Sequence, residues 1–184
     1  MRKIVAGLTI SLDGVIEAAE EWMGPWFNPE LGQAIGSMMA AQDAMLLGRV
    51  TYEMFAAHWP HQTGDLADTM NNTAKYVVSG TLKSADWQNS TLISASGAYA
   101  EIAELKQQPG KNIGMTGSAA LVTSLLREGL LDELRLFVFP LVVGSGQRLF
   151  GTRARSCRSS SSTPRPSRPA SCSSPTPRPD DGAS

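Results

Sequence analysis

The chain predicts an α/β protein built on a single, mostly parallel sheet with helices on both faces. Three observations predict it. Short apolar runs of strand length alternate with segments of helical period through the first 150 residues. The runs are almost continuously apolar, as strands covered on both faces are. Two junctions, LLGRVTYE at 46–53 and IGMTGSAALVTSLL at 113–126, pass from strand through glycine into helix, the junction that lies at the carboxyl edge of a parallel sheet.

Residues 4–12 form a buried strand ending in the turn pair Asp13-Gly14. Asn28 caps a helix over 30–41, with Pro29 in its first turn and Leu31, Ile35, Met38 and Met39 at helical spacing. A short buried strand at 45–47 leads into a helix over 51–57. Strands at 75–79 and 91–94 follow, and a helix over 98–106 stops at Pro109-Gly110. A strand at 112–115, a helix over 119–128 that turns Leu121, Val122, Leu125 and Leu126 inward, and a strand at 134–139 complete the order. There is no internal repeat.

Charge divides the chain. The 184 residues carry 16 Lys and Arg against 17 Asp and Glu. Residues 1–150 hold ten basic and fifteen acidic side chains, net −5, whereas 151–184 hold six and two, net +4. A body of that sign offers no basic surface, so no nucleic-acid partner is expected. From 151 onward there is no Val, Ile, Leu, Met or aromatic residue, which reads as a disordered Ser/Pro/Arg-rich tail behind a domain over 1–150. Cys157 and Cys172 both fall in that tail, leaving the body no disulfide and no thiolate metal site. His58 and His61 lack companions at ligand spacing and read as a surface loop, so no metal is expected. The start does not read as a signal peptide and no run approaches membrane length, so a cytoplasmic protein without a membrane partner is expected.

A glycine at a strand end lets backbone N–H groups approach a phosphate, and the following helix adds the positive end of its dipole. Gly48 and Gly117 hold those places. Arg49 adds a forked cation, and Thr51 and Ser118 add hydroxyls. The first turn reads as a phosphate clamp and the two together as a nucleotide cradle. Asp13 has two readings, a catalytic proton donor or a turn cap that accepts local N–H bonds, the second better supported. Trp22, Trp26 and Phe27 either line a flat heteroaromatic substrate or pack the loop. Glu17, Glu20 and Glu21 read as a solvated cluster, Tyr52 and Glu53 as helix packing and capping, and Asp132-Glu133 as a structural turn.

SLDG at 11–14, LLGRVTYE at 46–53, VVSGTL at 77–82 and GSAALVTSLLREGLLDELRLFVFPLVVGSGQRLF at 117–150 resemble the dihydrofolate-reductase-like family that includes the C-terminal reductase domain of riboflavin biosynthesis. The resemblance runs from residue 2 to about 150, with nothing matched beyond. It implies a sheet whose strand ends carry a reduced nicotinamide cofactor, usually NADPH, and hydride transfer to a small heterocyclic, pterin- or pyrimidine-like substrate. By the same resemblance Gly48, Arg49 and Thr51 match a Gly-Arg-x-Thr turn in which the arginine holds the adenosine 2′-phosphate and the threonine sits near the pyrophosphate. Ser79 matches a position facing the adenine ribose phosphate, although Gly80 follows where many relatives carry a basic side chain. Thr116, Gly117, Ser118 and Ala119 match a second phosphate turn. The acid that protonates a pterin is implied on the first helix, where this chain offers only Glu30.

Relatives often pair, which implies a homodimer through apolar residues 136–143, and they continue after RLF with a closing β-hairpin. Here that final hairpin is expected to be missing. Back-translated with GC-rich codons and read in another register, 155–179 can give LVPLELVDTPALASGVVLLTYTP, so the tail is expected to be a frameshift product. The alternatives to a reductase are a nicotinamide-nucleotide-binding protein without turnover and an inactive, truncated family member.

Overall fold

A computed structural model describes residues 1–151. Its six strands are β1 (Ile4–Ser11), β2 (Gln42–Gly48), β3 (Ala74–Ser79), β4 (Ser90–Ser94), β5 (Asn112–Met115) and β6 (Glu133–Phe139). They form one sheet of order β4-β3-β2-β5-β1-β6, in which every neighbouring pair is parallel. The helices are α1 (Ala19–Met23), α2 (Pro29–Ala40), α3 (Arg49–His58), α4 (Asp65–Asn72), α5 (Ala98–Gln107) and α6 (Ala119–Arg127), with 3-10 turns at Gly24–Trp26 and Trp59–His61. Each element expected from sequence is present, its bounds moved by no more than three residues.

Two helices carry no readable sequence signal. α1 spans five residues and buries none of them. α4, DLADTMNN, buries only Ala67 and Met70, one i,i+3 pair where a legible helix repeats its stripe over several turns.

The two faces are covered by different helices. α5 and α6 pack Ile102, Val122 and Leu125 over Ile4, Ala6, Leu8, Ile113 and Met115. α3 and α4 place Tyr52 and Met70 against Met45, Leu47, Val77 and Trp87 on the other face. α2 joins that second face through Met38, which lies over Gly7 where any Cβ would collide with it.

Three buried cations staple the framework. Arg2 pairs with Asp43 and donates to the Lys111 carbonyl. Lys106 pairs with Asp132 at 2.7 Å and donates to the Leu130 carbonyl, while Asp132 also accepts the Ile4 N–H. Lys75, fully buried on β3, donates to the carbonyls of Asn71 and Gln88 at 2.7 and 3.0 Å. Its ammonium lies 4.0 Å from the Trp87 ring centre, and burial pushes its pKa down to about 8.

Candidate nucleotide site

Because all strands are parallel, every strand-to-helix junction opens at one edge of the sheet. β2 and β5 are neighbours, but their connections part. From β2 the chain passes through α3 to β3 on one side, and from β5 through α6 to β6 on the other. Right-handed crossovers running in opposite directions put α3 and α6 on opposite faces, as the two core clusters show. Such a divergence opens a crevice at the carboxyl ends, the place where open α/β sheets bind ligands.

The two glycine turns meet at that crevice. Pairing of Met45 with Gly114 brings β2 and β5 side by side, so that the turns beyond them touch. A Cβ on Gly48 would overlap the Ser118 side chain, and one on Gly117 would lie 2.8 Å from Thr51 Oγ1. Each glycine thus receives the hydroxyl-bearing residue of the other turn. Ser118 adopts the left-handed conformation (φ 62°, ψ 77°) and its Oγ accepts the Leu121 N–H of α6 at 3.4 Å. No side chain caps α3, leaving its first-turn N–H groups directed at the crevice. Thr116 is exposed, Gly117 and Ser118 are half-buried, and Thr51 and Ala119 are buried.

Arg49 is not a free cation. Its Nη1 donates to Glu53 Oε2 at 2.8 Å across one helical turn, with both side chains about half-exposed. This corrects the capping reading of Glu53. Tyr52 does pack, and its hydroxyl accepts the Trp87 N–H at 2.9 Å. Ser79 stands beside Arg49 at the same edge, since Gly48 pairs with Val78 in the register. Its Oγ accepts the N–H groups of Thr81 and Leu82 at 3.1 and 3.0 Å and so shapes the loop after β3.

Asp13 anchors a strap. Its carboxylate accepts the Ser11 hydroxyl at 2.7 Å, the N–H groups of Val143 and Gly144 at 3.1 and 3.0 Å, and Arg148 Nη2 at 3.2 Å. These donors, the Ser11 hydroxyl foremost and Val143 next, hold the carboxyl well below the usual carboxylate range. It is ionised at neutral pH and has no proton to give. Of its partners only Ser11 is local, so the group ties the loop after β1 to residues 141–149 instead of closing its own turn. Glu17, read from sequence as solvated, joins the same lacing by accepting the Gln147 N–H at 2.7 Å, and Leu149 is buried in the α5–α6 core.

The aromatic trio separates. Trp22 stacks edge-on against Phe139 with ring centres 5.7 Å apart and donates to the Glu17 carbonyl, whereas Trp26 and Phe27 are 46% and 53% exposed. An open hollow of about 580 Å³ lies between α3 and residues 82–87, lined by Tyr52, Glu53, Lys83 and Trp87 and by none of the crevice residues. Among the described residues no cluster of side chains suits a metal ion, and no helix is long and apolar enough to cross a membrane.

Among the described residues the sheet is fully parallel with a two-glycine crevice at its switch point, an open α/β architecture, and within that class the protein is dihydrofolate-reductase-like. The family model of the RibD C-terminal domain matches residues 2–164, and the chain belongs to that family. The match passes residue 150, where the resemblance read from the residues stopped. Protein YyaP of Bacillus subtilis (strain 168) is 30% identical over 157 residues, covering 81% of this chain and 80% of its own. Among solved structures, a candidate riboflavin biosynthesis protein of Shewanella sp. PV-4 superposes with a TM-score of 0.60 at 22% identity, over 82% of this chain and 84% of that one. A diaminohydroxyphosphoribosylaminopyrimidine deaminase/5-amino-6-(5-phosphoribosylamino)uracil reductase of Thermotoga maritima gives 0.56 at 16% identity, over 81% of this chain and 48% of that longer one.

Proposed function

We propose that the chain is a reductase that uses NADPH to reduce a small heterocyclic substrate of pyrimidine or pterin type. The observation that carries this reading is the crevice itself, where two strand–glycine–helix turns far apart in sequence interlock and the uncapped α3 faces them. Its donors suit a diphosphate: the first-turn N–H groups of α3 and the hydroxyls of Thr51 and Ser118, with Arg49 and Ser79 beside them for the adenosine end. Bound NADPH would supply a hydride. The chain's own part is to hold and orient the two reactants and to exclude water. Trp26 and Phe27, exposed at the same edge, offer faces to a flat ring. The strap that Asp13 anchors closes the far side over the ends of β1 and β6.

Titration by tryptophan fluorescence should show NADPH binding, and Arg49→Ala should weaken it by about 1–2 kcal/mol, the worth of a half-exposed charge-assisted contact. Absence of binding by the parent would overturn the reading. A second reading, nucleotide binding without turnover, is favoured by one observation: Asp13 is ionised and fully engaged. Oxidation of NADPH with a panel of pyrimidines and pterins separates the two, since steady turnover on any of them excludes the second.

A further inference from the structure

The side chain that governs Arg49 is Glu53, and nothing in the family reading assigns it a role. The guanidinium gives one of its N–H groups to Glu53 Oε2 at 2.8 Å, and the carboxylate stays within one side-chain length of anything the remaining donors hold. A 2′-phosphate is close to dianionic at neutral pH, so it would meet attraction from Arg49 and repulsion from Glu53 together. The surroundings add little to offset this. Gly80, which follows Ser79, has no side chain. Ser79 Oγ already accepts two backbone N–H groups, leaving its single hydroxyl proton to offer. Lys83, the next cation along this loop, lines the hollow between α3 and residues 82–87 and, among the described residues, forms no ion pair or hydrogen bond with those of the crevice.

We propose that Glu53 sets cofactor choice: by holding Arg49 it discounts the 2′-phosphate, and the site takes NADH nearly as well as NADPH. This rests on the nicotinamide-nucleotide reading above. A carboxylate about 6 Å from a phosphate carrying one to two charges, in a near-aqueous dielectric, changes affinity by about three- to tenfold. Glu53 is exposed and on the outer side of α3, so Glu53→Gln leaves the fold intact.

The test is a set of titrations with NADPH, NADH, 2′,5′-ADP and 5′-AMP against the parent, Glu53→Gln, Arg49→Ala and the double variant. The parent should favour NADPH over NADH by less than tenfold. Glu53→Gln should tighten NADPH and 2′,5′-ADP by three- to tenfold while NADH and 5′-AMP hold steady, and the gain should vanish when Arg49 is also Ala. A parent preference for NADPH beyond a hundredfold, an unchanged ratio in Glu53→Gln, or an equal gain for all four ligands would overturn the proposal while the nucleotide site stands. Failure of every nucleotide to bind to both parent and Glu53→Gln would remove the site and the proposal together.

Discussion

Protonation decides what Asp13 can do. A carboxyl held below its ordinary value contributes stability that is fully present above the unfolded value of about 3.9 and is lost as the pH falls toward the folded one. At neutral pH the strap over 141–149 is therefore tied down. Asp13→Asn should speed hydrogen exchange at the Val143 and Gly144 amides, which donate to it; exchange equal to the parent would show that the charge does not hold the strap. Lys75 runs the other way, since its pKa is lowered to about 8 against 10.5 for an ordinary lysine. Below 8 both states are protonated and burial of the charge costs stability; between about 8 and 10.5 the unfolded chain binds the extra proton, so stability rises with pH. Urea unfolding at pH 7.5 and 10 should show that rise in the parent and a smaller one in Lys75→Met. Equal slopes would mean that the carbonyls of Asn71 and Gln88, with the Trp87 face, offset the burial.

At the scale of elements, the crevice depends on two turns fitting each other. Gly117→Ala would set a methyl 2.8 Å from Thr51 Oγ1 and 2.9 Å from Thr51 Cγ2, closer than carbon and oxygen tolerate, so α3 and α6 must part or Thr51 must rotate. We expect a cost of about 1–3 kcal/mol, the usual scale of overpacking, and weaker nucleotide binding from the same displacement. Thr51→Ala removes the opposing atoms, so the double variant should be less damaged than the sum of the two single ones. Additive losses in melting temperature would show that the glycine and the threonine do not press on one another.

For the whole molecule, the β6 side of the sheet matters most. Among the described residues β6 pairs only with β1, and Val138 and Val142 are 57% and 69% exposed. An apolar strand with a free edge invites pairing with another chain. We propose self-association through this edge; light scattering that gives a monomer mass at tens of micromolar would refute it. The segment expected to be a frameshift product lies outside the described residues. Its sequence carries the argument, since 151–184 contain no Val, Ile, Leu, Met or aromatic residue while 155–179 in another register can encode two apolar strands. Resequencing the encoding DNA tests this. If the shifted frame is restored, the melting temperature should rise; an intact frame with no alternating strand pair in any register ends the idea.

Sequence by itself determined the alternation of strands and helices, and with it the parallel sheet, because each apolar run is long enough to bury its own stripe. It also determined both glycine turns, whose chemistry is local. The pairing of Arg49 with Glu53 is readable from i,i+4 spacing on a helix, a contact that the capping reading of Glu53 passed over. α4 was not readable, because a polar helix that buries one pair is held by packing and not by its own pattern. Nor was the part of Asp13 visible, since its partners Val143, Gly144 and Arg148 lie some 130 residues away. Only the tertiary structure decided that β5 inserts between β2 and β1, so that two distant turns interlock and a crevice opens between helices on opposite faces. Periodicity reports which side of a strand is buried, whereas strand order follows from which buried surfaces fit together, and that information is not local.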